Sequence, residues 1–140
     1  MGGINVGRWL AGGIAAAVVT FFMEGIASIF YMDQMMASLE ALGLSMEMTG
    51  AAWFLAIMVS LISGLVLIFF YAAARPRFGP GPKTAILVAV ALWFGGYLLS
   101  LIGYHMAGIY PASLLVMWGA VALVELIIAA LVGGWVYREE

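Results

Sequence analysis

Two carboxylates, Glu24 and Glu125, lie inside long apolar stretches of this 140-residue chain. An ionised acid facing lipid costs roughly 3 kcal/mol or more, so each must be protonated, paired or turned inward. Neither stretch carries a Lys or Arg at that depth to neutralise it. The reading taken from the residues is that they are neutral hydrogen-bond donors tying helices together, in a protein that associates with itself or serves as an accessory subunit of a larger membrane complex. The alternative is that they hold a proton, a cation or the polar head of a lipid or quinone. Other polar side chains fall at matching helical spacing: Thr20, Glu24 and Ser28; Ser60 and Ser63; Tyr97, Ser100 and Tyr104. Each set shares one helix face. The expectation is a polar intramembrane seam built from Thr20, Glu24, Ser28, Ser60, Ser63, Tyr97, Ser100 and Glu125. At ~1.5 Å per residue, Glu24 falls about 10 Å and Glu125 about 18 Å below the boundary of their segments.

A second constellation joins the one histidine, His105, with Met32, Met35, Met36, Met46, Met48 and Met106. Thioether and imidazole suit Cu(I), and imidazole also ligates haem iron. Methionine, however, equally fills irregular apolar interfaces, and haem ligation by two histidines would need a second chain. The reading taken from the residues is no metal and no cofactor, with His105, Met32, Met35, Met36 and Met106 as the alternative metal set.

Catalytic signatures are missing. The sequence holds no phosphate-binding glycine loop, no His-Glu-x-x-His and no Gly-x-Ser-x-Gly, and without cysteine it has no thiol chemistry and no disulfides. A non-enzymatic protein is expected. With 9% charged residues and a net charge of -2, nothing suggests a nucleic-acid partner.

The elements that position these residues follow from hydropathy. With 66% hydrophobic residues the chain has too few polar groups to cover a water-soluble globule. Four apolar segments, about 8–31, 51–74, 84–107 and 113–137, each reach the ~20 residues that cross the hydrocarbon of a bilayer. The first is too long for a signal-peptide core and is read as a span. All five basic residues, Arg8, Arg75, Arg77, Lys83 and Arg138, lie at the same ends of these segments. Lys and Arg stay on the cytoplasmic side, which places both termini inside. Trp9, Tyr71, Trp135 and Tyr137 mark one interface, and Phe30, Tyr31, Trp53, Tyr104 and Tyr110 the other.

The fold class expected is all-α: a polytopic four-helix transmembrane bundle, up-down-up-down, forming a single domain over 1–140. Between the first two spans, Met35, Met36, Leu39 and Leu42 repeat at helical spacing, predicting a short separate amphipathic helix on the outer surface that ends near Gly43. Thr49 is placed to cap the second span. The stretch 75–84, with three of the four prolines, reads as a tight turn. Small residues Gly12, Gly13, Ala16, Ala17, Gly95, Gly96, Ala129, Ala130, Gly133 and Gly134 offer close-packing faces, expected to contact another copy or other membrane subunits. Surrounding lipid is the remaining partner.

The run Tyr71-Ala-Ala-Ala-Arg75-Pro-Arg77-Phe78-Gly-Pro-Gly-Pro-Lys83-Thr-Ala85, followed by Trp93-Phe-Gly-Gly-Tyr97 and Val124-Glu125-Leu126, resembles a group of small four-span bacterial membrane proteins. The resemblance implies a bacterial inner-membrane location and four helices. It assigns no activity to any residue.

Overall fold

The computed structural model describes residues 3–137. The tail Arg138 to Glu140, and with it the sidedness assigned to Arg138, lies outside them. Among the described residues every regular element is helical: α1 Val6–Ala41, α2 Gly50–Phe78, α3 Pro82–Leu92, a π-helical turn Trp93–Leu98, α4 Leu99–Met106 and α5 Ala112–Val136. The turn joins α3 and α4 into one rod, so four helices are long and apolar enough to cross a membrane. Phe22, Ile29, Phe30, Phe54, Phe94 and Val116 stand exposed on their outer faces, as lipid contact requires.

α1 departs from expectation. Residues 32–41 form no separate surface helix; they continue α1 to 36 residues, about 54 Å at ~1.5 Å per residue, well beyond ~30 Å of hydrocarbon. No glycine or proline interrupts 26–42, and so nothing breaks the ladder. The end is a Schellman motif. Gly43 takes φ +71°, its N–H bonding Glu40 O while that of Leu44 bonds Leu39 O. Asn5 caps the start by accepting from Arg8 N–H at 3.0 Å, and Thr49 caps α2 by accepting from Ala52 N–H at 3.3 Å.

The proline-rich stretch also departs from a simple turn. α2 absorbs Arg75 to Phe78 with Pro76 inside it, and Pro82 opens α3 as its first residue, where a missing N–H is harmless. Only Gly79 to Gly81 connects them. Gly79 and Gly81 have φ +81° and +116°, which a side chain would strain. Thr84 Oγ1 donates to Gly79 O at 2.6 Å and Tyr71 Oη accepts from Gly81 N–H at 3.1 Å, fixing the corner.

The small-residue faces are consumed within the chain. A Cβ added to Gly133 would stand 2.6 Å from Gly12 O, and one on Gly64 would collide with the backbone of Gly13 and Ala17. These contacts bring α5 and α2 hard against α1, where dispersion replaces the hydrophobic drive that lipid does not supply. Around them sits the core: Ala16, Leu67, Ile68, Tyr71, Ala72, Ala85, Val88, Ala89, Ala129, Ala130 and Tyr137. This cluster lies toward the Arg75 end, while Tyr31, Leu101, Leu114 and Leu115 are buried separately toward the other. A Cβ added to Gly95 or Gly96, in contrast, would meet nothing within 4 Å among the described residues.

Candidate functional site

The opposite end of the bundle is looser. There the π-helical turn and α4 pack on α5, and among the described residues the backbones of α1 and α2 do not approach them. A lateral cleft results, with α5 as floor, α1 as one wall and the π-helical turn with α4 as the other. Contacts rise along α1 as they descend along α5: Gly12 with Gly133, Glu24 with Glu125, Tyr31 with Trp118, Gln34 with Ser113. Opposite running brings the two acids together.

The Glu24 and Glu125 carboxyls lie within hydrogen-bonding reach of each other. Glu125 is only 7% exposed, and its Oε1 has no hydrogen-bond partner among the described residues. Glu24 is exposed on the cleft wall and accepts a hydrogen bond from Tyr31 Oη. Tyr97, on the facing wall, is near enough to feel the charge of both acids and of Tyr104. The separation of about 8 Å in depth inferred from segment boundaries does not hold. α1 extends past Tyr31, so that residue does not mark its end.

Above the acids runs a row of rings. Tyr31 of α1 meets Trp118 of α5 edge-on at 5.6 Å, Trp118 meets Tyr110 at 4.8 Å, and Tyr110 meets Tyr104 of α4 at 5.8 Å. The row crosses from one wall to the other, with Trp118 Nε1 buried and without an acceptor among the described residues. Edge-to-face pairs of this kind are favourable beyond their buried area.

The second wall owes its shape to the π-helical turn. Gly95 and Gly96 are exposed within it, and Trp93 Nε1 donates to Gly119 O at 2.8 Å, pinning the turn to α5. π-turns commonly accompany functional sites because the inserted residue re-aims its neighbours. Tyr97 is the polar residue that this turn carries.

Of the seam expected from sequence, Glu24, Glu125 and Tyr97 converge. Thr20, Ser28 and Ser100 instead bond carbonyls of their own helices, at Ala17, Gly25 and Gly96, a local alternative open to any helical hydroxyl. Ser60 lines a small groove with Ile14, Val18 and Phe21 on the α1–α2 contact, and Ser63 is exposed. The Met and His side chains divide between helices whose backbones do not meet. Met32, Met35 and Met36 are half-buried on α1, His105 is exposed in the last turn of α4, and Met106 is 83% exposed. No group of three His, Asp or Glu side chains is placed to hold a metal among the described residues. Sequence reasoning missed Tyr31 and Trp118 as site residues. Seven-residue spacing was the available signal, since Glu24–Tyr31 and Trp118–Glu125 are each two turns apart on facing helices.

Fold and site together define a multi-span membrane protein with an acid pair inside its helical bundle. No family model, curated protein or solved structure matches the chain.

Proposed function

We propose that this is a non-enzymatic membrane protein that holds a proton or a cation between Glu24 and Glu125. One observation carries the reading: two carboxyls from different helices meet at membrane depth, one open to a cleft and the other buried with an oxygen unpartnered among the described residues. Ionised together they would repel, and a shared proton or an intervening cation relieves that repulsion. In this reading the helices run up-down-up-down in a bacterial inner membrane, with Arg8, Arg75, Arg77 and Lys83 on the cytoplasmic side and lipid around the bundle.

The test is infrared spectroscopy of the protonated-carboxyl band against pH, for the protein in lipid nanodiscs. Subtraction of Glu24→Gln or Glu125→Gln from the wild type isolates the pair from the surface acids. A coupled two-step titration that each variant reduces to one step is the expected result. Absence of any titrating pair signal would overturn the proposal.

A second reading is self-association or service as an accessory subunit of a larger membrane complex. The open cleft favours it, because the α4 wall lacks support from α1 and α2, and Gly95 and Gly96 there leave room for a foreign helix. Crosslinking in membranes, with a bulky residue at Gly96, separates the two readings.

A further inference from the structure

The surroundings of the acids say what kind of cation fits. Hard metal ions take about six or more oxygen ligands, yet this cleft offers two carboxyls and tyrosine phenols set among ring carbon. Tyr97 and Tyr104 stand on the open wall, 37% and 42% exposed, and the Tyr31, Trp118 and Tyr110 rings close one end. Aromatic faces attract cations whose charge is spread over carbon-bearing groups, and they lack the lone pairs to strip water from a small ion. Glu125 adds a buried carboxyl oxygen without a partner among the described residues, so the floor presents an unmet acceptor. The backbones of α1 and α4 do not approach each other among the described residues, so an apolar ligand body can enter between them from the lipid.

We propose that the cleft binds an organic ammonium cation with an apolar body, its charged group against Glu24 and Glu125 and its body between the Tyr97–Tyr104 wall and the ring row. This deepens, and rests on, the acid-pair reading above. Glu24 is the entrance ligand because it is exposed; Glu125 is the inner one. Tyr31 orients the Glu24 carboxyl by its hydrogen bond.

The probe is radiolabelled benzyltrimethylammonium, with the full chain in nanodiscs of zwitterionic lipid; its neutral isostere neopentylbenzene and sodium chloride serve as competitors. Saturable binding is expected, with neither competitor displacing the label at matched concentration. Glu24→Gln and Glu125→Gln should each weaken binding about tenfold or more. Tyr97→Leu should weaken it about fivefold, and Tyr97→Phe should retain it because the ring persists. Helix content by circular dichroism confirms that each variant folds. If the acids titrate but the label does not bind, the organic-cation proposal fails while the acid-pair reading stands. If neither occurs, both fail. Displacement by sodium, equal displacement by the neutral isostere, or unchanged binding in the Glu24 variant would each overturn the proposal.

Discussion

The phenol of Tyr31 reaches back two turns along α1 to donate a hydrogen bond to the Glu24 carboxyl, while its ring stands edge-on to Trp118 of α5. A single side chain, 5% exposed, thus couples the acid pair to the row of rings and holds α1 on α5 beyond the reach of the glycine contacts. Removing the hydroxyl alone tests the first half of that coupling. Tyr31→Phe keeps the ring and should lower stability by about 1 kcal/mol, read as a fall in the unfolding midpoint in mixed micelles. A midpoint equal to wild type would show that the bond to Glu24 contributes nothing net.

The glycine contacts make a sharper prediction. Gly133→Ala places a methyl 2.6 Å from Gly12 O and from Ile68 Cδ1, and overpacking of this kind typically costs about 1–3 kcal/mol. Gly95→Ala meets nothing and should leave stability unchanged or raise it by up to about 1 kcal/mol through helix propensity. The same unfolding measurement on both variants decides. Equal effects would mean that α1 and α5 are not in the close contact described.

Trp93 is expected to stabilise the π-helical turn. Trp93→Phe loses the hydrogen bond to Gly119 O and about 1 kcal/mol with it. Hydrogen exchange should quicken at 93–98 and remain slow over Leu67 to Ala72 in the core. Uniform quickening, or none, would remove Trp93 as the pin of the cleft wall.

Orientation is testable because the sequence contains no cysteine. Ser45→Cys and Pro80→Cys put single thiols in exposed connections before α2 and after it. From the basic-residue pattern, a membrane-impermeant maleimide should label Ser45→Cys in intact cells and Pro80→Cys only after permeabilisation. Labelling of both from one side would contradict the topology.

Arg75 carries a fourth structural prediction at the other end. Its guanidinium lies 5.2 Å from the Tyr137 ring centroid and 6.0 Å from that of Tyr71. Arg75→Gln should therefore lower stability by about 0.5–2 kcal/mol. An unchanged unfolding midpoint would show that the stacked arrangement contributes no net stability.

The sequence by itself determined the number of long apolar helices, because hydropathy over 20 residues and the scarcity of charge leave no other way to satisfy the backbone. It also determined that Glu24 and Glu125 could not stand ionised in lipid, and that Thr49 and Gly43 would punctuate the first connection. Only the tertiary structure decided which partners those residues find. Whether Gly133 meets Gly12 or another molecule depends on how helices distant in sequence are arranged, and small-residue spacing is the same in either case. The seam was half legible for the same reason. Periodicity puts Thr20, Glu24 and Ser28 on one face, but hydroxyls can bond their own helix and carboxyls cannot do so as easily, so the acids alone reached across. The continuity of α1 past Tyr31 and the widened turn at Trp93–Leu98 fix the depth and aim of the site. The first follows from the absence of glycine and proline over 26–42; the second is held by the bond from Trp93 to Gly119 on another helix, which no local spacing encodes.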